Sequence, residues 1–106
     1  MTFSEGLFAK FFDNMQSRIN DLAHAKGFWD WPHSEGLWCQ KLCRLHEEVS
    51  ETFQTLKEGK LSGEELADVI IVAMDLAEEV GINLGEEIVK KYQKNKGRKH
   101  LHGKSF

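Results

Sequence analysis

Apolar residues recur along this chain at intervals of three and four, and no stretch alternates every two residues between turn signals. That spacing matches the 3.6-residue turn of an α-helix and argues against any half-buried strand. The expected fold class is therefore all-α. The first apolar series is Leu7, Phe8, Phe11, Phe12, Met15, Ile19 and Leu22. Thr2 and Glu5 stand before it at capping-box spacing, and Gly27 stops it just after Lys26. A second helix, capped by Ser34, carries Trp38, Leu42, Leu45, Val49, Phe53 and Leu56 and breaks at residues 57–60. A third has Ser62 and Glu65 at capping-box spacing, carries Leu66, Val69, Ile70, Ala73, Ala77 and Val80, and ends at Gly81. Asn83 and Glu86 can cap a fourth, which runs to the neighbourhood of Lys96. These segments predict one domain over residues 1–106, a four-helix bundle whose basic tail, 97–106, is loosely held.

A chain of 106 residues encloses one core, but burial at this length is limited and association of copies would add to it. With 41% hydrophobic residues the chain as a whole is not disordered. The net charge of -3 conceals an asymmetry, because 12 of the 17 acids lie between Glu47 and Glu87 while 7 of the 14 Lys and Arg lie between Lys90 and Lys104. The middle attracts cations and the end attracts anions. That arrangement suits a metal-bound polyphosphate, and it equally suits intramolecular charge balance. The start lacks the basic region and long apolar stretch of a signal peptide. Residues 69–74, the longest clean apolar run, are too few to span a bilayer. The expected location is the cytoplasm, with no membrane partner. Cys39 and Cys43, four apart, are expected as buried thiols and not as a bridge.

The acids of the second and third helices form the candidate site. The second carries Glu47, Glu48 and Glu51, and the third carries Glu65 and Asp68. Spacings of three and four put Glu48 beside Glu51 and Glu65 beside Asp68. Each pair stands one residue, about 100°, from its helix's apolar stripe. If the two stripes pack together, four carboxylates converge at the edge of the contact. Like charges so placed repel unless a cation neutralises them, and hard oxygen ligands without cysteine or histidine select magnesium, manganese or calcium. The plainer readings are solvated acidic faces, acids that balance the basic tail, and Glu65 as nothing more than a capping-box residue.

The sequence Glu47-Glu48-Val49-Ser50-Glu51, followed across a short hairpin by Glu65-Leu66-Ala67-Asp68, resembles the MazG-like all-α nucleoside triphosphate pyrophosphohydrolases. The resemblance covers roughly Trp38 to Arg98, with Lys41-Leu42 before the first motif and Val69-Ile70-Ile71 after the second. It implies that Glu48, Glu51, Glu65 and Asp68 hold Mg2+, with Mn2+ as a possible substitute, and that Glu47 is the base that activates water. It implies further that Lys91, Asn95 and Arg98, which share a face of the fourth helix, hold phosphates, with Lys94 as a weaker candidate. A basic helix end favoured by the macrodipole is the alternative for that group. The implied reaction is hydrolysis of a (deoxy)nucleoside triphosphate between the α and β phosphates, giving the monophosphate and pyrophosphate, in a house-cleaning role. The implied assembly is a homodimer or homotetramer. Phe8, Phe11 and Phe12 span adjacent faces of the first helix and would suit a subunit contact.

The loop before the second helix holds Phe28, Trp29, Trp31 and His33, with Trp38 just beyond. In the family the base is held by aromatic residues from this general region, so Trp29, Trp31, Trp38 and His33 are base-contact candidates. Closure of one end of the bundle, or a subunit interface, is the competing reading. Other chemistries fail on spacing. His46-Glu47-Glu48-Val49-Ser50 has serine where a zinc protease needs its second histidine, no glutamate has a histidine three residues on, and there is no phosphate-binding glycine loop or calcium-hand loop. An overall acidic chain argues against nucleic acid as the main partner. Two further classes remain: a non-catalytic helical binding or regulatory module that retains the fold, and a metal-dependent hydrolase of another phosphate linkage.

Overall fold

A computed structural model of the chain describes residues 1–103. Its four α-helices are α1 (Phe3–Ala25), α2 (Glu35–Lys57), α3 (Gly63–Glu79) and α4 (Leu84–Lys96), and no strand occurs among the described residues. Thr2 and Glu5 form the expected capping box, and the side chains of Ser34 and Ser62 each accept a backbone N–H of the helix they open. Asn83 differs from expectation, because its side chain caps nothing. The start of α4 is held instead from α1, where Asp13 Oδ1 accepts the Gly85 N–H at 3.1 Å. The tail contains a short 3₁₀ turn, His100–Gly103; the rest of it, 104–106, lies outside the described residues. No helix among the described residues is long and apolar enough to cross a membrane.

The inner face of α1 carries two buried amides, Gln16 and Asn20, where the apolar period leads one to expect hydrocarbon. Buried amides must be bonded, and these two reach α3 and the turn after it. Asn20 Nδ2 donates to Asp75 Oδ1 at 2.9 Å, and Gln16 Nε2 donates to the Ile82 carbonyl at 2.8 Å. Nearer the start of α1, Asp13 holds Gly85 and Glu5 accepts from Gln93 at 3.3 Å. Helices α3 and α4 therefore lie end to end along α1, both antiparallel to it. Gly81, with φ +78°, gives the chain the left-handed turn that ends α3. The next residues are pinned to α1, so α4 runs onward and does not fold back beside α3.

Helix α2 packs on the other side of α3, and neither α1–α2 nor α2–α4 forms a packed interface among the described residues. The four helices are thus open within one chain and do not close the expected bundle. The radius of gyration is 16.0 Å, against about 13 Å for a compact domain of this length. Because α3 is the one helix packed extensively on α2 among the described residues, Cys39 and Cys43 are exposed free thiols and not the buried pair expected. Leu42, Val49, Phe53 and Leu56 of α2, with Leu66 and Ile70 of α3, are also exposed.

The join of α4 to α1 depends on the missing side chain of Gly85. A Cβ there would stand 2.9 Å from the Ala9 carbonyl and 3.0 Å from Phe12 Cβ. Gly85→Ala is expected to destabilise the chain by about 1–3 kcal/mol through overpacking. A urea melt checks this, and an unchanged midpoint would contradict the close approach.

Candidate metal centre

Residues 58–62 return the chain from α2 to α3, and local hydrogen bonds shape the hairpin. Ser62 Oγ accepts the Glu65 N–H at 3.2 Å, while the Ser62 N–H donates to Thr55 Oγ1 at 3.0 Å. In a full capping box the glutamate carboxylate would take that second N–H. Thr55 takes it here, so the Glu65 carboxylate is released from capping. It turns toward α2 and meets Glu48 and Asp68. One carboxylate oxygen from each of the three lies within 4.8 Å of the other two, and all three residues are half-buried.

Two oxygens of this trio, Glu48 Oε2 and Glu65 Oε2, are buried without a hydrogen-bond partner. Native chains seldom leave such atoms unsatisfied unless water or an ion takes them. Burial pushes the Glu48 carboxyl above the usual range; the charges of Glu51 and Asp68 and a carboxyl contact with Glu51 push it further, and Arg44 pulls it back. Burial likewise raises Glu65, with Asp68 and Glu51 adding to it. The donors are all hard oxygens, and the unmet requirement is for positive charge. The residues therefore fit a hard divalent cation such as magnesium, manganese or calcium. Of the four expected ligands, three converge. Glu51 is exposed and stands at the edge, close enough to raise both glutamates. Glu47 is exposed on α2 and outside the trio.

The expected phosphate group is not brought to these acids. Lys91, Lys94 and Arg98 are exposed on or just beyond α4, Asn95 is half-buried, and Arg98 Nη1 donates to Asn95 Oδ1 at 3.4 Å. Gln93 lies opposite Glu5 at the start of α1. Ile71 and Val72 share a cleft with Ala23 and Lys26 near the end of α1. Roughly 20 residues of α1 separate the two levels, about 30 Å of helix at 1.5 Å per residue, so the basic end of α4 and the acid trio lie toward opposite ends of α1.

The aromatic residues divide: Trp38 and Trp31 line separate clefts, and Trp29 is enclosed. Trp29 is buried, and its Nε1–H donates to Asp75 Oδ1 at 3.0 Å and Oδ2 at 3.1 Å. His33 packs on Trp38 with ring centroids 4.9 Å apart, and its Nε2 lies 2.7 Å from Glu79 Oε2. Trp31 is the exposed member of the group. Beneath them lies a polar network that the sequence reading missed. Asp75 and Glu79, one turn apart on α3, are bonded by Asn20, Trp29, His24 and His33. Burial alone would raise Glu79; the bonds from Asn20 and His24 and the two imidazoles outweigh it and hold its carboxyl below the usual range. A signal existed, since Asp75 interrupts an otherwise apolar run from Val69 to Ala77.

No protein-family profile matches the chain, and searches of the curated proteins and of the solved structures give no match either.

The electrostatics of the trio predict a pH-dependent effect. Glu48 titrates higher in the folded chain than in the unfolded one, so the folded chain holds more protons just above the ordinary carboxylate range. The stability this contributes is complete below the unfolded pKa and is lost as pH rises through the folded one. Glu48→Gln, without divalent cation near neutral pH, is expected to melt at the same temperature as the parent chain or higher. That advantage should vanish toward about pH 4, and Mg2+ should raise the Tm of the parent but not of the variant. Comparing the two chains cancels the opposite dependence of Glu79. A large loss of Tm in Glu48→Gln at neutral pH would mark Glu48 as structural.

Proposed function

We propose that this protein is a magnesium-dependent hydrolase that cleaves (deoxy)nucleoside triphosphates between the α and β phosphates, releasing a nucleoside monophosphate and pyrophosphate. The observation that carries the reading is the convergence of Glu48, Glu65 and Asp68 with two buried, unbonded carboxylate oxygens. Such a group has no evident structural use, because three acids brought together across a hairpin oppose its closure. They suit an ion that accompanies a polyphosphate. The resemblance of Glu47-Glu48-Val49-Ser50-Glu51 and Glu65-Leu66-Ala67-Asp68 to the MazG-like motifs names the linkage and the magnesium.

Glu48, Glu65 and Asp68 would hold the cation, with Glu51 adding negative charge beside them. A bound Mg2+ supplies Lewis-acid polarisation of phosphoryl oxygen and lowers the pKa of water. Glu47, exposed next to Glu48, is the carboxylate proposed to take a proton from the attacking water. Half-burial of the trio limits competing water and strengthens its attraction for a cation. The candidate base contacts narrow to Trp31, Trp38 and His33, since the Trp29 ring and its N–H are both occupied within the chain.

A homodimer, or a homotetramer built from it, belongs to the same proposal. Leu42, Val49, Phe53 and Leu56 of α2 and Leu66 and Ile70 of α3 are all exposed, more large apolar side chains on one hairpin than isolated surface residues account for. Lys91, Lys94, Asn95 and Arg98 can serve the acids only across such a contact. Their distance from the trio within one chain is the observation that favours the second reading, a non-catalytic helical binding module.

Pyrophosphate release from a nucleotide panel, with and without Mg2+, separates the readings. Metal-dependent pyrophosphate is expected; orthophosphate alone would indicate another linkage, and binding without turnover would indicate the module. Glu48→Gln and Asp68→Asn should each lower turnover by about 100-fold or more, since even residues that merely support a metal ligand are worth 10- to 100-fold. Circular dichroism should show the helices intact, and full activity in either variant would refute the metal-site assignment.

A further inference from the structure

Among the described residues, one cation stands near the acid trio and makes no hydrogen bond or ion pair. Arg44 is half-buried on α2, one turn before Glu48. An arginine and a glutamate at that spacing commonly pair along a helix. Here the Glu48 carboxylate turns to the α3 acids, and the Arg44 guanidinium lies over the Phe28 ring, 4.4 Å from its centroid. The ring fixes the plane of the guanidinium and uses none of its N–H groups. Five donors in a rigid fork are thus left without an acceptor among the described residues. Lys41, one turn earlier, is already committed. Its ammonium donates to the Phe28 carbonyl and lies 4.3 Å from the centroid of the Trp29 ring. Burial and the neighbouring Arg44 charge both lower its pKa.

Arg44 also lines a cleft of about 230 Å3 with Ile19, Leu22, Phe28, Ile71 and Asp75, and Lys26 stands on its wall. On α2 the cleft begins one turn from Glu48, and on α3 one turn from Asp68. It is the groove between the end of α1 and α3, and Arg44 forms its α2 side, one turn from the acid trio. We propose that Arg44 is the anion-contacting residue of this site, its fork held by Phe28 to take a phosphate oxygen of a ligand whose polyphosphate is bound at the acids. The inference rests on the reading of the trio as a metal site. It places the positive contact within the same chain, where the fourth-helix cations do not reach. A planar fork on an aromatic platform suits the bidentate geometry of phosphate better than a point charge does.

Calorimetric titration of inorganic pyrophosphate into the Mn2+-loaded full chain tests this without turnover. Arg44→Gln, which keeps the side chain's bulk and loses its charge, should weaken pyrophosphate binding by about 10- to 100-fold, with Arg44→Lys between it and the parent. Mn2+ affinity, read by electron paramagnetic resonance, should be unchanged or tighter in Arg44→Gln, because a cation near the acids is gone. Equal pyrophosphate affinity in Arg44→Gln and the parent would overturn the inference. So would absence of pyrophosphate binding by the parent, loss of Mn2+ affinity in Arg44→Gln, or a loss in Arg98→Gln with none in Arg44→Gln. Pyrophosphate binding that depends on Arg44 in a chain that hydrolyses no nucleotide would leave the inference standing and remove the proposed activity. Nucleotide turnover indifferent to Arg44→Gln, with unchanged pyrophosphate affinity, would do the reverse.

Discussion

A carboxylate in the interior must be bonded on nearly every side, and Asp75 meets that demand by drawing three parts of the chain together. Asn20 reaches it from α1 and Trp29 from the loop, while its own backbone belongs to α3. One turn on, Glu79 takes His24 and His33 in the same way. Hydrogen bonds to a charged group are stronger than those between neutral groups and more costly to leave unmade. This pair of acids thus sets how the loop lies on α1 and α3. The loop in turn sets where α2 begins, and Lys41 ties α2 back to the Phe28 carbonyl. The position of Arg44 over Phe28 is a consequence of the same arrangement.

The second acid group obeys the opposite logic. Asp75 and Glu79 are surrounded by donors, whereas Glu48, Glu65 and Asp68 are surrounded by one another. Burial and mutual repulsion raise the Glu48 and Glu65 carboxyls, while bonding lowers Glu79, although all lie on or against α3. A folded chain tolerates the first situation because the hairpin is closed by other means: the Ser62 cap, the Thr55 hydroxyl and the contact of α2 with α3. The trio is left as a place where positive charge would be welcome. That contrast between two acid groups on one helix separates a structural role from a candidate functional one.

The openness of the chain bears on both proposals. End-to-end α3 and α4 spread the molecule along α1 and leave α3 as the one helix packed extensively on α2 among the described residues. The exposed apolar side chains of the α2–α3 hairpin then have no helix over them among the described residues. The basic helix end and the acids are carried toward opposite ends of α1. Beside a bound metal ion, a local side-chain cation and a second copy of the chain are sources of positive charge for such a site, and Arg44 is a local one.

The helices, their starts and most of their ends were legible in the sequence, because caps, glycines and the 3.6-residue period act over a few residues. The pairing of Glu48 with Glu65 and Asp68 was legible for the same reason, since a short hairpin leaves the two helices little choice but to lie side by side. Local signals did not reveal which way α4 would turn. That was decided by Gln16, Asp13 and Gly85, residues 66 to 72 positions apart in each contact. Nor did they reveal that Glu65 would be released from its cap by Thr55, that Trp29 would be buried on Asp75, or that Arg44 would lie on Phe28. Each depends on partners that a periodic pattern does not name. Spacing along a helix tells which side chains share a face, but only the packed chain decides what that face meets, because hydrogen bonds and charges act through space and not along the sequence.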